Sequence, residues 1–263
     1  MRQGNDEGVN DIGNAVVRIG PALAVVVVVL VVAAALVNYF GATGHARQVV
    51  IAAIRAAGQL AALAAVLAVV IGALWASTLF VAVMATVAAA TSAGRIVGRR
   101  APIRAGIGST LWCLLPVAVP TIVVVAGIVA LEVLPATGLA IIPTAGIMFG
   151  GAMNTTSLAG RRAHDELTTR RGEVDAALSL GFVPREARME ISRSAAATAL
   201  IPGIDQTRSV GLVTIPGAFV GMVLGGASVT TAAIMQLFVL ISLLAVSAVA
   251  VVVTTELVAR GIL

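Results

Sequence analysis

The sequence predicts an all-α, polytopic integral membrane protein with about seven transmembrane helices. Apolar residues make up 59% of its 263 residues and charged residues only 11%, whereas about a quarter of the residues in a soluble domain are charged. The apolar residues also gather in runs close to the roughly 20 residues that a helix needs to cross the hydrocarbon core of a bilayer. We therefore expect residues 21–263 to form one transmembrane domain, preceded by a polar, glycine-rich tail at residues 1–20.

The candidate spans follow one another along the chain. They cover residues 21–37, 49–71, 74–90, 111–131, 139–159, 210–227 and 232–253. Residues 1–20 lack the basic start and the short apolar core of a cleaved signal peptide, so the first run is predicted to be a retained span. An odd number of spans places the two ends of the chain on opposite sides of the membrane.

Basic residues decide between the two possible orientations. All 17 of them are arginines, and they concentrate in alternate loops, as the positive-inside rule expects of loops that face the cytoplasm. One such loop carries Arg95, Arg99, Arg100 and Arg104. The N-terminus is then outside and the C-terminus in the cytoplasm, in an inner or plasma membrane. Arginine charge in such a chain sets topology and contacts lipid headgroups, so no nucleic-acid partner is expected.

The longest cytoplasmic loop, residues 160–195, is predicted to contain two helices joined at a glycine. Residues 173–180 have the periodicity of a short amphipathic helix, with Val174, Ala177 and Leu178 on its apolar face. Gly181 ends this helix, and Pro184 suits the first turn of the next one. An apolar stripe that projects into water requires a partner. From periodicity alone, a loop that lies on lipid headgroups fits equally well.

The same residues carry a resemblance to a known family. The Asp175-Ala176-Ala177 triplet, Gly181 and Ile191 have the spacing of the EAA-type loop of ABC-transporter permeases. Residues 146–227, with the motifs LSLGFVPREA and GLVTIPG, resemble the FetB-type permeases, a family of bacterial iron exporters and plant aluminium-tolerance proteins. Two positions depart from that pattern: Gly151 stands where the family has Asn, and Asp175 replaces the commoner Glu.

The resemblance implies a role for the loop and partners for the chain. It implies a coupling helix that docks in a groove of a separate cytoplasmic ABC ATPase, which binds ATP and Mg. Two permease copies would work with two ATPases to export iron or a related metal. The chain itself contains no lysine, so it cannot form the GxxxxGK[ST] phosphate-binding loop of an ATPase. No nucleophile–base pair is evident in the sequence either, so the chain is predicted not to be an enzyme. The coupling residues implied are Glu173, Asp175, Ala176, Ala177, Leu178 and Gly181.

Polar side chains within or beside the spans are candidates for a substrate path, because charged groups are costly in lipid and usually functional there. They are Arg55, Gln59, Asn154, Asp205 and Arg208. Each also has a structural interpretation: snorkelling of the Arg55 side chain, helix–helix hydrogen bonding by Asn154, or an anchoring ion pair between Asp205 and Arg208. No His or Cys grouping has zinc spacing, so the metal ligands are unknown.

Two other function classes fit an apolar helical protein. A gradient-driven secondary transporter would need a carboxylate relay inside the membrane, and Asp205 is the only candidate for one. A scaffold would bind a cytoplasmic partner without transporting anything. An ATPase with a Walker motif encoded beside the gene would favour the ABC permease over both.

Overall fold

A computed structural model describes residues 20–70, 72–98 and 103–263, and in these ranges the regular structure is helical, as predicted. The α-helices, in chain order, are α1 (Pro21–Phe40), α2 (Ala46–Val70), α3 (Leu74–Val97), α4 (Ile103–Ala130), α5 (Gly138–Thr169), α6 (Arg171–Ser179), α7 (Pro184–Ala197), α8 (Ile201–Ser209), α9 (Gly217–Leu224) and α10 (Val229–Ala259). A 3₁₀ turn, Thr198–Leu200, joins α7 to α8. Most of the predicted tail, residues 1–19, and two arginines of the predicted cytoplasmic loop, Arg99 and Arg100, lie outside the described residues.

The chain forms two compact units. The first contains α1, α2, α9 and the start of α10, and the second contains α3 to α8 with residues 233–263. The predicted single transmembrane domain, residues 21–263, thus includes parts of both units. The candidate site described below is built within the second unit.

Five described helices are long and apolar enough to cross a membrane. They are Pro21–Phe40, Ala46–Leu67, Leu74–Val97, Ile107–Ala130 and Val229–Ala259, with mean hydropathies between 1.8 and 2.8. This composition confirms a multi-pass membrane protein. Helix α5 contains the predicted fifth span, but it continues to Thr169 through a charged stretch and is not among the five. The predicted count of seven is therefore not confirmed.

The predicted sixth span, residues 210–227, is wrong as one continuous helix. The chain turns at residues 210–216 and then forms α9, which has eight residues. Such a helix rises about 12 Å, far less than the roughly 30 Å of a hydrocarbon core. Gly211 has φ +79° and Gly226 has φ +91°, so glycines in a backbone conformation that other residues rarely adopt flank the short helix. Apolar composition alone does not reveal such breaks.

Small side chains form much of the core of the second unit. Ala85 and Ala88 of α3, Ala118 of α4, and Ala145 and Ala152 of α5 are all buried in one apolar cluster. In lipid, close packing of this kind replaces the hydrophobic effect as the main force between helices, since lipid tails are as apolar as the side chains. The larger side chains of Met148 and Phe149 fill the remaining space and are almost fully buried.

Helices α5 and α10 lie side by side and run in the same direction. Gly151 is opposite Leu243, and the Thr155 Oγ1 donates to the Ser247 Oγ at 3.3 Å. Both pairs have the same sequence offset, which requires parallel helices in register. Because the two helices are parallel, they begin on the same side of the second unit. The chain that leaves the end of α5 must therefore run back to that side before α10, and the short helices α7 and α8 form the first part of this return.

A matched pair of glycine substitutions tests the close packing of α5 on α3. A Cβ at Gly160 would lie 2.6 Å from the Ile96 Cδ1, whereas a Cβ at Gly150 would meet no atom within 4 Å. Gly160→Ala is expected to destabilise the protein by about 1–3 kcal/mol through overpacking, and Gly150→Ala to leave it unchanged or slightly more stable. Thermal unfolding in detergent measures both. Equal midpoints for the two variants would contradict the close contact between Gly160 and the Ile96 side chain.

Candidate functional site

A cavity of about 180 Å³ lies in the second unit between α5, α8 and α10. Its wall is partly apolar, and its polar groups come from all three helices. The polar side chains are Asn154, Thr155, Gln206, Thr207 and Ser247. None of the described residues that line it is ionisable. The cavity therefore offers amide and hydroxyl groups, which bind a solute through neutral oxygen or nitrogen atoms.

The hydroxyl groups of the lining are already engaged in part. Thr155 donates to Ser247 across the two parallel helices, and Thr207 donates to the backbone carbonyl of Gly203 at 2.9 Å. Their lone pairs still have acceptor capacity, because a hydroxyl has one donor and two acceptor positions. These hydrogen bonds fix side chains of the cavity wall, and the hydroxyl oxygens can still accept further hydrogen bonds or bind a solute.

Arg95 adds a positive charge beside the cavity. It lies in the last turn of α3, and its Nη1 donates to the Oδ1 of Asn154 at 3.1 Å. The sequence singled out Asn154 but assigned Arg95 only to the topology of the loop. The sequence pattern does not reveal this contact, because the two residues are 59 positions apart and meet only through the packing of α3 on α5.

The predicted pair on α8 forms, but it faces away from the cavity lining. Asp205 and Arg208 approach to 3.7 Å, and both side chains are mostly exposed. The neighbouring residues Gln206 and Thr207 line the cavity instead. Successive residues of a helix point about 100° apart, so the choice between these two pairs depends on how α8 packs, which the sequence pattern does not show.

Arg55 and Gln59 lie four residues apart on α2 and share a helix face, with exposed side chains. They belong to the first unit, whereas Asn154, Asp205 and Arg208 belong to the second. Their assignment to a substrate path stays a prediction.

The predicted helix–glycine–helix element is present as α6, a turn and α7, and we call residues 171–197 the elbow. Gly181 has φ +94°. Its N–H donates to the carbonyl of Leu178, and the N–H of Phe182 donates to that of Ala177 at 3.1 Å. This pattern is a Schellman motif, in which glycine takes the left-handed position after the helix. Pro184 occupies the first turn of α7, as expected.

The start of α6 differs from the prediction. The helix begins at Arg171, two residues before Glu173, so Glu173 lies in its first turn and Asp175 in its second. A helix dipole acts mainly within the first turn, so it stabilises a negative charge at Glu173 more than one at Asp175. Glu173 also pairs with Arg170, which reaches Glu166 at 3.2 Å. The hydrogen bond from Arg170 lowers the pKa of the Glu173 carboxyl.

The turn of the elbow exposes apolar side chains that the sequence reasoning missed. Leu180 is 80% exposed, Val183 53% and Phe182 48%, and we call these residues the apolar tip. Two of the predicted coupling residues, Ala177 and Leu178, share a helix face with Val174. Both are less exposed than Leu180. The signal was available in the sequence, because Leu180, Phe182 and Val183 directly flank the helix-ending Gly181.

A groove of about 420 Å³ lies behind the tip, between the end of α5, α6 and the start of α7. It is lined by both apolar and charged groups, among them His164, Arg171, Asp175, Leu178 and Arg188. Burial lowers the pKa of the His164 imidazole, although Asp165 and a backbone hydrogen bond with Leu263 oppose that shift. Asp175 therefore borders this groove and is not part of the apolar tip.

Comparison with known proteins gives a family match over nearly the whole chain. Residues 22–263 match a family described as "Uncharacterised protein family (UPF0014)". The chain is 39% identical over 137 residues to "UPF0014 membrane protein STAR2" of Oryza sativa subsp. japonica, which is 52% of this chain and 48% of that protein. It is 36% identical over 113 residues to "Protein ALUMINUM SENSITIVE 3" of Arabidopsis thaliana, covering 43% of this chain and 41% of that protein.

A bacterial relative carries a more explicit name. The chain is 29% identical over 120 residues, 46% of each protein, to "Probable iron export permease protein FetB" of Escherichia coli (strain K12). The chain thus aligns with about half the length of the curated relatives that it matches. No solved structure matches it.

The geometry of the elbow predicts different outcomes for two of its glycines. Gly181→Ala places a Cβ at φ +94°, which costs about 1–2 kcal/mol, whereas Gly172→Ala lies inside α6, where alanine is favoured over glycine by up to about 1 kcal/mol. Hydrogen-exchange mass spectrometry of residues 171–183 measures the effect. We expect Gly181→Ala to raise exchange roughly tenfold and Gly172→Ala to lower it. A faster exchange in Gly172→Ala than in Gly181→Ala would contradict the glycine turn.

Proposed function

Because the chain belongs to the UPF0014 family of membrane proteins, we propose that it is the membrane-spanning permease subunit of an ABC transporter that exports iron or a related metal. It works as a homodimer with a separate cytoplasmic ABC ATPase, and ATP and Mg are bound by that partner. The N-terminus is outside the cell and the elbow faces the cytoplasm. The export of iron is taken from the name of the Escherichia coli relative, and this chain aligns with about half the length of that protein.

The observation that carries this proposal is the apolar tip of the elbow. Leu180 is four-fifths exposed at the end of a short helix in a loop rich in arginine and glutamate. Exposed apolar clusters with a polar rim are typical of protein interaction sites. A groove on the ATPase that receives the tip gives these side chains the burial that they lack in the isolated chain.

Helix α5 connects the elbow to the cavity without a break. It runs from the cavity residues Asn154 and Thr155 to Thr169, directly before α6. The 15 residue steps from Asn154 to Thr169 span about 22 Å of helix. When ATP binding closes the ATPase pair, a displacement of the elbow is passed along this rigid helix to the cavity wall, and the cavity changes the side to which it opens.

The chemistry of the cavity suits a hard cation that is passed on and not retained. Carbonyl and hydroxyl oxygens are ligands that hard cations accept, and Asn154, Thr155, Gln206 and Thr207 supply them. The name of the Escherichia coli relative supports iron as the cargo. A proton-coupled alternative would rely on Asp205, which lies on the exposed face of α8, paired with Arg208.

A matched pair of valines tests the docking of the elbow. Val183 and Val133 are 53% and 54% exposed, in the elbow and in the turn between α4 and α5. Val183 is the N-cap residue of α7, where aspartate is favoured, so Val183→Asp keeps the elbow folded. Burial of the new carboxylate in an apolar groove is nevertheless costly, and we expect ATPase affinity to fall about tenfold or more, with no change in Val133→Asp.

The measurement is binding of a purified candidate ABC ATPase to the permease in nanodiscs. Unchanged affinity in Val183→Asp would remove the elbow as the docking site, and loss of affinity in Val133→Asp would place the contact on the other side of the molecule.

Iron salts added to the same complex test the cargo. Stimulated ATP hydrolysis is expected, and its absence contradicts iron while leaving the ATPase contact intact.

The two ends of α5 provide a test of orientation. Thr137 precedes the helix and Thr169 is its last residue, and both side chains are exposed. In a Cys113→Ser background, a cysteine at Thr137 is expected to react with a membrane-impermeant maleimide added to intact cells, and a cysteine at Thr169 only after lysis. Outside labelling at Thr169 would invert the topology and separate the elbow from a cytoplasmic ATPase.

A further inference from the structure

An ion-pair cluster joins the elbow to α10 across 71 residues of sequence. The guanidinium of Arg185, in the first turn of α7, donates to both oxygens of Glu256, at 2.7 and 2.6 Å. Arg260 donates to the same carboxylate at 2.6 Å. We call these three residues the clasp. A bidentate pair of this kind fixes the relative orientation of its partners as well as attracting them.

Residues 260–263 reinforce the clasp by folding back onto the elbow. Gly261 has φ +72°, and the Nη1 of Arg188 lies 2.6 Å from the position that a Cβ would take there. Leu263 is buried in the same apolar cluster as Ala163 of α5 and Ala196 of α7. The elbow therefore contacts the end of α10 through both charge and apolar packing.

The clasp is placed where it can carry movement to the cavity. Glu256 lies nine residues after Ser247 on the uninterrupted helix α10, a separation of about 14 Å. Ser247 and Leu243 line the cavity opposite Thr155 and Gly151 of α5. If α5 alone transmitted the movement of the elbow, one wall of the cavity would be displaced against the other. Attachment of the elbow to α10 as well makes the two walls move together.

We propose that Glu256 is a positioning residue that fastens the elbow to α10, so that an ATPase movement at the elbow reaches both helices of the cavity wall. The inference rests on the proposed function, since it assigns the path by which an ATPase acts. The clasp side chains are half-exposed to mostly buried, at 47% for Arg185 and 26% for Glu256. Such a contact holds by geometry and can be broken by a single substitution without removing any core side chain.

Distance measurements between spin labels test the clasp. The labels are placed at Ser179, exposed at the end of α6, and at Val252, 68% exposed on α10, in a Cys113→Ser background diluted with unlabelled chain. In the unmodified clasp we expect one narrow distance distribution that stays the same when the ATPase is trapped with ATP and vanadate. In Glu256→Gln we expect the distance distribution to be about twice as broad in the absence of the ATPase. We also expect its mean distance to shift when the ATPase is trapped, because the elbow then moves without α10.

Two further variants separate attachment from general structure. Arg193→Glu removes an arginine from the same helix, which among the described residues forms an ion pair with Glu190 alone, at 3.7 Å, and it should leave the distribution unchanged. The triple reversal Arg185→Glu, Glu256→Arg and Arg260→Glu restores opposite charges and should return the narrow distribution. A positioning role also requires that Glu256→Gln bind the ATPase as well as the unmodified chain, since the apolar tip is untouched.

The outcomes distinguish the two proposals. Equal distributions in Glu256→Gln and the unmodified chain, or a triple reversal that stays broad, would overturn the clasp even if the ATPase binds normally. Failure of the unmodified chain to bind the ATPase would overturn the proposed function, and the ATPase-free widths would still decide whether Glu256 fastens the elbow to α10.

Discussion

Close approach of helices through small side chains is the constraint on which the second unit depends. Helix α5 packs against α3 with Gly160 facing the Ile96 side chain and Gly146 facing Met84, and alanines fill much of the surrounding core. A Cβ at Gly160 would crowd the Ile96 side chain and strain the packing of α5 on α3 that also brings Arg95 to Asn154. The polar contacts of the cavity therefore exist because the helix interfaces contain few large side chains.

The length of α5 gives this packing a consequence at a distance. One uninterrupted helix of 32 residues contains the core residues, the cavity residues and the charged end that leads into the elbow. Backbone hydrogen bonds between residues four apart run along this helix and connect the cavity residues with its charged end at Thr169. The turn at Gly181, by contrast, is held by a few backbone hydrogen bonds and surrounded by solvent-exposed apolar groups. The second unit thus combines a closely packed helical core with a turn that exposes apolar side chains.

Charge is distributed differently in the two parts. The cavity lining has no ionisable side chain among its described residues, whereas the elbow and the end of α5 carry several ion pairs, from Arg170 with Glu166 and Glu173 to Arg185 with Glu256. Exposed pairs of this type contribute little to stability when isolated. Their value here is in fixing angles: Arg170 spans the junction of α5 and α6, and Glu256 holds α7 against α10. The elbow is oriented by these contacts on both sides.

The sequence by itself determined the helical class, the membrane location and the existence of the elbow, because each depends on local chemistry: long apolar runs, a glycine after a short amphipathic helix, and a proline at the start of the next. Tertiary structure decided what local pattern cannot encode. Turns at Gly211 and Gly226 interrupt the expected sixth span, the rotation of α8 brings Gln206 and Thr207 to the cavity in place of Asp205 and Arg208, and helix packing pairs Arg95 with Asn154 and Arg185 with Glu256. These contacts join residues 59 and 71 positions apart, and only the folding of separate helices against one another makes them neighbours.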